Sequence, residues 1–317
     1  MTDEALWRFL PERLAHACAG LAPGERAGLE EIRLRRERPF SVAWGGREHF
    51  LDASGRRVGA AAALRVDARE LDAFIERLTR HSVYAWQEEL RAGFVTLPGG
   101  HRVGLAGEVV AQGGRIVRIG RISQVNIRRS RAAPGCARKV APRLRSGGGI
   151  ASTLILSPPG CGKTTLLRDL CRLVSDGDEA LGIGPCTVGL VDERGEIAAE
   201  VDGVPQHDVG ARTDVLSRAP KAEGLRLLLR GMGPQLVMTD EIGGGEDAEA
   251  LLECSRAGVA AVASVHAAGL DDLYARPSLR LLLREGAFAR AIVLSRRLGP
   301  GTVEAVAVLK REAKPVS

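Results

Sequence analysis

Thr153-Leu154-Ile155-Leu156-Ser157-Pro158-Pro159-Gly160-Cys161-Gly162-Lys163-Thr164-Thr165 decides how this chain is read. Thr153 to Leu156 form a short apolar strand. Beyond the loop, Leu167, Leu170, Cys171 and Val174 recur at i, i+3, i+4 and i+7, the period of one helical face. Strand, glycine loop, Gly-Lys-Thr and helix together make the setting in which backbone N–H groups wrap phosphate oxygens, with the dipole of the helix N-terminus behind them. On this reading Ser157, Pro158, Pro159, Gly160, Cys161, Gly162, Lys163, Thr164 and Thr165 cradle the phosphates of ATP. Lys163 reaches the β- and γ-phosphates and Thr164 holds Mg²⁺. Ser157 stands where the pattern usually has its first glycine, but Gly162-Lys163-Thr164 is intact, so phosphate binding is expected to survive.

Working outward, Leu236-Val237-Met238-Thr239-Asp240-Glu241 reads as a buried strand ending in two acids. Asp240 is placed to bind Mg²⁺ through water, and Glu241 to polarise the attacking water. Two more strands end in polar residues: Val188 to Val191 runs into Asp192-Glu193-Arg194, and Val259 to Val265 into His266. Ends of this kind are where open α/β sheets gather ligand groups. His266 is therefore read as a sensor of the γ-phosphate, and Glu193 as the first alternative to Glu241 as base. The helix before the acidic strand carries Leu225, Leu228, Leu229 and Met232 on one face, with Arg226 and Arg230 off it. These arginines either face the phosphates or form a solvated edge, with Glu223 pairing Arg226.

The rest of the chain bounds this reading. Its 317 residues are 45% hydrophobic and 26% charged, an ordinary globular composition with room for two domains. That excludes a disordered tail, a collagen and a disulfide-held mini-protein. Aromatics are only 3%, so Leu, Val, Ile and Ala must build the cores. The six cysteines, Cys18, Cys136, Cys161, Cys171, Cys186 and Cys254, form no C-x-x-C pair and no zinc spacing, and are read as reduced thiols. No apolar run approaches the roughly 18 residues of a membrane span, and Asp3, Glu4 and Arg8 interrupt the start of the chain, leaving no signal-peptide core. The expected location is the cytosol, free or peripheral to a membrane. The formal charge of +6 selects no partner. Placement says more: Val109 to Arg168 contains no Asp or Glu, and holds Arg115, Arg118, Arg121, Arg128, Arg129, Arg131, Arg138, Lys139, Arg143 and Arg145. Trp and Tyr are absent from residues 87–273, so stacking platforms for bases are lacking and nucleic acid is not the expected partner.

The first half reads as α+β. Leu6, Phe9, Leu10 and Leu14 predict a helix over 4–17, which Pro11 must bend or split. Ile32 and Leu34, then Phe40, Val42 and Trp44, alternate as strands. Leu71, Phe74, Ile75 and Leu78 predict a helix over 67–80, with Asp67 and Glu70 as a capping box. Pro98-Gly99-Gly100 and Gln112-Gly113-Gly114 mark turns between strands. Ser146-Gly147-Gly148-Gly149 reads as a linker, so domains are expected at 1–146 and 147–317: a smaller α+β domain, then a RecA-like α/β P-loop domain.

These residues resemble those of a known superfamily, the ATPases of type II secretion, type IV pili and type IV secretion. The likeness rests on Gly224-Leu225-Arg226, Arg230, Pro234-Gln235, the strand into Asp240-Glu241-Ile242, the acids Asp192-Glu193 and Ser264-Val265-His266, in that order with the P-loop. Tyr84 to Arg91, Gly99 to Gly104, Asn126-Ile127-Arg128, Asp192 to Ile197, Val204-Pro205-Gln206, Asp208-Val209-Gly210 and Arg212 to Val215 narrow it to a resemblance to the stage III sporulation protein AA family. The resemblance implies a homo-oligomeric ATPase, hexameric in the superfamily. It would act on the cytosolic face of a membrane channel complex, on the mother-cell side of an endospore-forming bacterium. Gly243 departs from the secretion ATPases, which usually carry an arginine after Glu-Ile.

Overall fold

The computed structural model describes residues 2–79, 94–130 and 133–309. The motif Tyr84 to Arg91 and Arg131 of the basic segment lie outside the described residues. The chain divides into two compact units, Met1–Arg131 and Ala132–Ser317.

In the first unit Pro11 splits the expected N-terminal helix into Thr2–Phe9 and Glu12–Ala19, and it occupies the N-cap of the second, where its missing N–H costs nothing. The helix Ala68–Thr79 starts as expected: Asp67 accepts from the Arg69 N–H at 2.6 Å, and Glu70 accepts from the Asp67 N–H at 2.9 Å. The strands are β1 (Leu29–Arg35), β2 (Ser41–Trp44), β3 (Arg47–Leu51), β4 (Arg57–Val58), β5 (Phe94–Leu97), β6 (His101–Gln112) and β7 (Arg115–Arg128). They pair antiparallel in the order β4-β3-β2-β1-β7-β6-β5. Ile32, Leu34, Phe40, Val42, Phe74, Val103 and Ile127 are fully buried between sheet and helices.

Two arginines of the basic segment are committed locally. Arg129 donates to the carbonyls of Arg26, Ala27 and Leu29, and Arg128 sits 3.3 Å from Glu31.

The second unit holds β8 (Arg145–Ser146), β9 (Gly149–Ile150), β10 (Thr153–Ser157), β11 (Val188–Asp192), β12 (Thr213–Ser217), β13 (Leu236–Glu241), β14 (Ala260–His266), β15 (Arg290–Ser295) and β16 (Thr302–Val308). Its main sheet has the order β12-β11-β13-β14-β10-β15-β16, parallel except for β16 at one edge. Both faces are covered, so its central strands read as continuous apolar runs. Ile155 of β10 joins the core that includes Leu167, Leu170 and Val174 of the helix Lys163–Asp176. Its neighbours Leu154 and Leu156 join the opposite core, with the helices Lys221–Gly231, Gly245–Arg256 and Pro277–Glu285. The result is a three-layer α/β/α domain, of the expected α/β class.

The boundary falls before residue 132, not at 146. Ala137, Val140, Ala141 and Leu144 belong to the core of the second unit, and Asp169 on the P-loop helix accepts the N–H groups of Gly135 at 3.0 Å and Ala137 at 2.7 Å. The glycine run expected to be a linker is instead the turn joining β8 to β9.

Candidate nucleotide-binding site

The P-loop leaves β10 at Ser157 and enters the helix at Lys163. Gly160 and Gly162 have φ of +71° and +87°, a backbone that only glycine adopts without strain. Pro158, Pro159 and Gly160 are exposed; Cys161 is buried, and Thr164 and Thr165 are half-buried on the first helical turn. Lys163 is itself buried. Its ammonium donates to the carbonyls of Ser157 at 2.9 Å and Pro158 at 3.3 Å, and lies 2.7 Å from His266 Nδ1. Desolvation lowers its pKa against the opposing pull of Glu241.

Sheet register brings His266 there, since β10 and β14 run parallel with Ser157 opposite His266. On its other side, His266 Nε2 is 3.0 Å from Glu241 Oε2. An ammonium can only donate, so Nδ1 must accept, and the ring proton must sit on Nε2, facing the carboxylate. Lys163, His266 and Glu241 thus form one continuous polar chain across three strand ends. Arg194 approaches Glu241 at 3.7 Å.

Asp240 owes its aim to a β-bulge. The β13–β14 register passes from Thr239 opposite Ala263 to Glu241 opposite Ser264, leaving Asp240 as the extra residue. Its Oδ1 lies 3.0 Å from the Lys221 ammonium, and its Oδ2 is buried without a hydrogen-bond partner among the described residues. Burial raises its pKa, partly offset by the nearby charge of Lys221. A carboxylate with one buried oxygen left unengaged, at a strand end of the sheet that carries the glycine loop, fits a divalent cation that Asp240 and Thr164 would hold. No group of three or more metal-binding side chains occurs among the described residues, so phosphate and water oxygens would have to complete the shell.

Asp192 and Glu193, adjacent in sequence, do different things. Asp192 is fully buried and accepts the N–H groups of Glu196, Ile197 and Ala198 at 2.9–3.1 Å. Arg168, from the P-loop helix, grips the same turn through the carbonyls of Ile197 and Glu196 at 2.8 and 2.7 Å. Asp192 is thus a clasp for the loop. Glu193 points back to the site, 3.0 Å from Lys221 Nζ.

Arg226 and Arg230 are not brought into the polar chain. Arg226 makes three hydrogen bonds to Glu253 of the next helix, neither facing the phosphates nor pairing with Glu223, and Arg230 Nε donates to the Arg226 carbonyl. Met232, expected on the apolar face, is exposed just past the helix end.

Two groups were missed in the sequence reading. Lys221, almost fully buried, lies 3.0 Å from Asp240 and from Glu193, and 3.8 Å from Asp247. Gly224 makes this possible, because a Cβ there would stand 2.9 Å from Val191 on β11, so only glycine lets the helix lie this close. The one signal was a lysine directly after Pro220 in a helical first turn, where the macrodipole disfavours a cation. The second group is Arg296, in the loop between β15 and β16. That loop rests on the P-loop through the Gly301 N–H to the Cys161 carbonyl at 2.9 Å. Arg296 Nη1 lies 3.4 Å from where a Cβ on Gly160 would stand. Nothing local to Arg296 announces this.

Comparison with known proteins follows the same lines. The profile of the family described as "Sporulation stage III, protein AA" matches residues 10–313. The chain is 41% identical over 297 residues to stage III sporulation protein AA of Bacillus subtilis (strain 168), covering 94% of this chain and 92% of that protein. In fold it is similar to the ATPase DotB of Legionella pneumophila, with TM-score 0.55 and 16% identity over 85% of this chain and 73% of that one. It is also similar to the pilus retraction motor PilT solved with ADP, with TM-score 0.54 and 15% identity over 84% of this chain and 74% of that one.

Proposed function

The chain belongs to the sporulation stage III protein AA family, and from that premise we propose that it binds and hydrolyses MgATP as the motor of a channel acting during endospore formation. The observation that carries this reading is the polar chain from Lys163 through His266 to Glu241, laid across three strand ends beside a phosphate loop. The ADP held by PilT, which shares the fold, supports an adenine nucleotide as ligand.

Backbone N–H groups from Gly160 to Thr165, beyond the two prolines that have none, bind the phosphates. Lys163 exchanges its contact with His266 for the β- and γ-oxygens, and His266 then reports to Glu241 whether a γ-phosphate is present. Glu241 orients the attacking water and takes its proton. Thr164 and Asp240 would hold Mg²⁺, which would supply positive charge against that on the phosphates. Arg296 and Arg194 supply positive charge from the same chain. Among the described residues no helix is long and apolar enough to cross a membrane. The work on a membrane channel is assigned to a ring of copies, six by analogy with the superfamily, docked on its cytosolic face on the mother-cell side.

Phosphate release and binding of a fluorescent ATP analogue test this together. Lys163→Ala should lose nucleotide binding. Glu241→Gln should keep binding while turnover falls by about 10²–10⁴. Wild-type turnover in Glu241→Gln would move the base to Glu193.

A further inference from the structure

Lys221 is 4% exposed. A charge taken that far from water persists only with compensating partners, and helix chemistry offers it none at this position. Its partners come instead from three separate elements: Glu193 after β11, Asp240 and the Glu241 carbonyl at the end of β13, and Asp247 in the helix Gly245–Arg256. The ammonium lies 3.0 Å from Asp240 Oδ1, while Oδ2 is buried with no hydrogen-bond partner among the described residues. Asp240 is therefore neutralised yet remains able to coordinate.

Building on the nucleotide-binding reading above, we propose that Lys221 is a positioning residue for the metal: a built-in cation that balances Asp240, Glu193 and Asp247, so that a divalent ion enters only together with nucleotide. Without the ammonium, the negative charge of the three acids would go unbalanced and strengthen the pull of Asp240 on a divalent ion, although the three do not themselves form a metal cluster. With it, a metal gains too little from Asp240 alone and needs the charge of the phosphates. Nucleotide and metal then bind as a coupled pair. Asp247, at 3.8 Å, is the acceptor toward which the ammonium leans when the metal engages Asp240.

The test uses the full chain and Mn²⁺ as probe, its free concentration read by electron paramagnetic resonance with and without ADP. Binding of a fluorescent ATP analogue to the wild type is measured first; its absence would overturn the nucleotide reading itself and not the role of Lys221. With binding established, Lys221→Gln should raise the affinity for Mn²⁺ without nucleotide at least about tenfold and shrink the ADP dependence by the same factor. Lys221→Arg, which keeps the charge, should behave as wild type. Asp247→Asn should weaken Mn²⁺ binding several-fold in the presence of ADP while leaving metal-free ADP binding unchanged. A folded Lys221→Gln protein with wild-type Mn²⁺ affinity overturns the proposal. If that variant does not fold, unaltered Mn²⁺ affinity in Asp247→Asn does so.

Discussion

Asp192→Asn isolates what the clasp at the end of β11 contributes. In the native turn Asp192 Oδ1 accepts from Glu196 and Ile197, and Oδ2 accepts from Ile197 and Ala198. Asparagine keeps one acceptor oxygen and turns an NH₂ toward the Ala198 N–H. One buried donor then faces another, which costs about 1–3 kcal/mol, and the surviving bonds lose their charge assistance, bringing the total to about 2–4 kcal/mol. For a domain of this size each kcal/mol moves Tm by about 2–4 °C, so the transition should fall by roughly 5–15 °C. Differential scanning calorimetry of the full chain near neutral pH measures this. The relevant transition is the one that added MgADP raises, since a ligand stabilises only the unit that binds it. Asp192→Ala orphans all three N–H groups and should fall further. An Asn variant melting within about 1 °C of wild type would refute the argument that this carboxylate holds the turn.

Arg296→Ala should weaken nucleotide binding by roughly 3–30-fold, the loss of one charge-assisted contact, with Tm unchanged because the side chain is exposed; equal affinity in the fluorescence titration removes Arg296 from the site. Asp169 is desolvated, which raises its pKa, but the N–H groups of Ala137 and Gly135 and the Arg172 guanidinium outweigh this and hold it below the ordinary 3.8. Its contribution to stability is thus present above 3.8 and lost as pH falls through the folded value, so the gap between wild type and Asp169→Asn in denaturant melts should be constant near neutrality and close below about pH 4. Light scattering with MgATP should give a mass of several protomers; a fully active protein that is monomeric at every concentration would sink the motor reading.

The strand, glycine loop and helix of residues 153–176 were legible in the sequence because they are a local object. Strand, loop and helix are contiguous, and the glycines and Lys163 act through backbone geometry that neighbours in sequence largely dictate. The acidic end of β13 and His266 were legible for a related reason, since a buried parallel strand reads as an unbroken apolar run and its polar terminus stands out. The residues Ser146 to Gly149 were misread because a glycine run looks the same in a linker and in a tight turn; only the packing of Ala137 to Leu144 on the P-loop helix separates the two. Arg226 shows the same limit, as its partner Glu253 lies on another helix and not one turn away.

By itself the sequence determined the α/β class of the second unit, the glycine loop between strand and helix and the identity of the residues at three strand ends, because burial periodicity and backbone conformation are short-range. Tertiary structure alone decided which of those ends touch: the parallel register that sets His266 against Lys163, and the bulge that turns Asp240 toward Lys221. It alone also decided that a lysine in an unfavourable helical position lies among three acids. Electrostatic partnerships act over a few ångströms of space, whatever the separation along the chain, so they become visible only when the elements that carry them have packed.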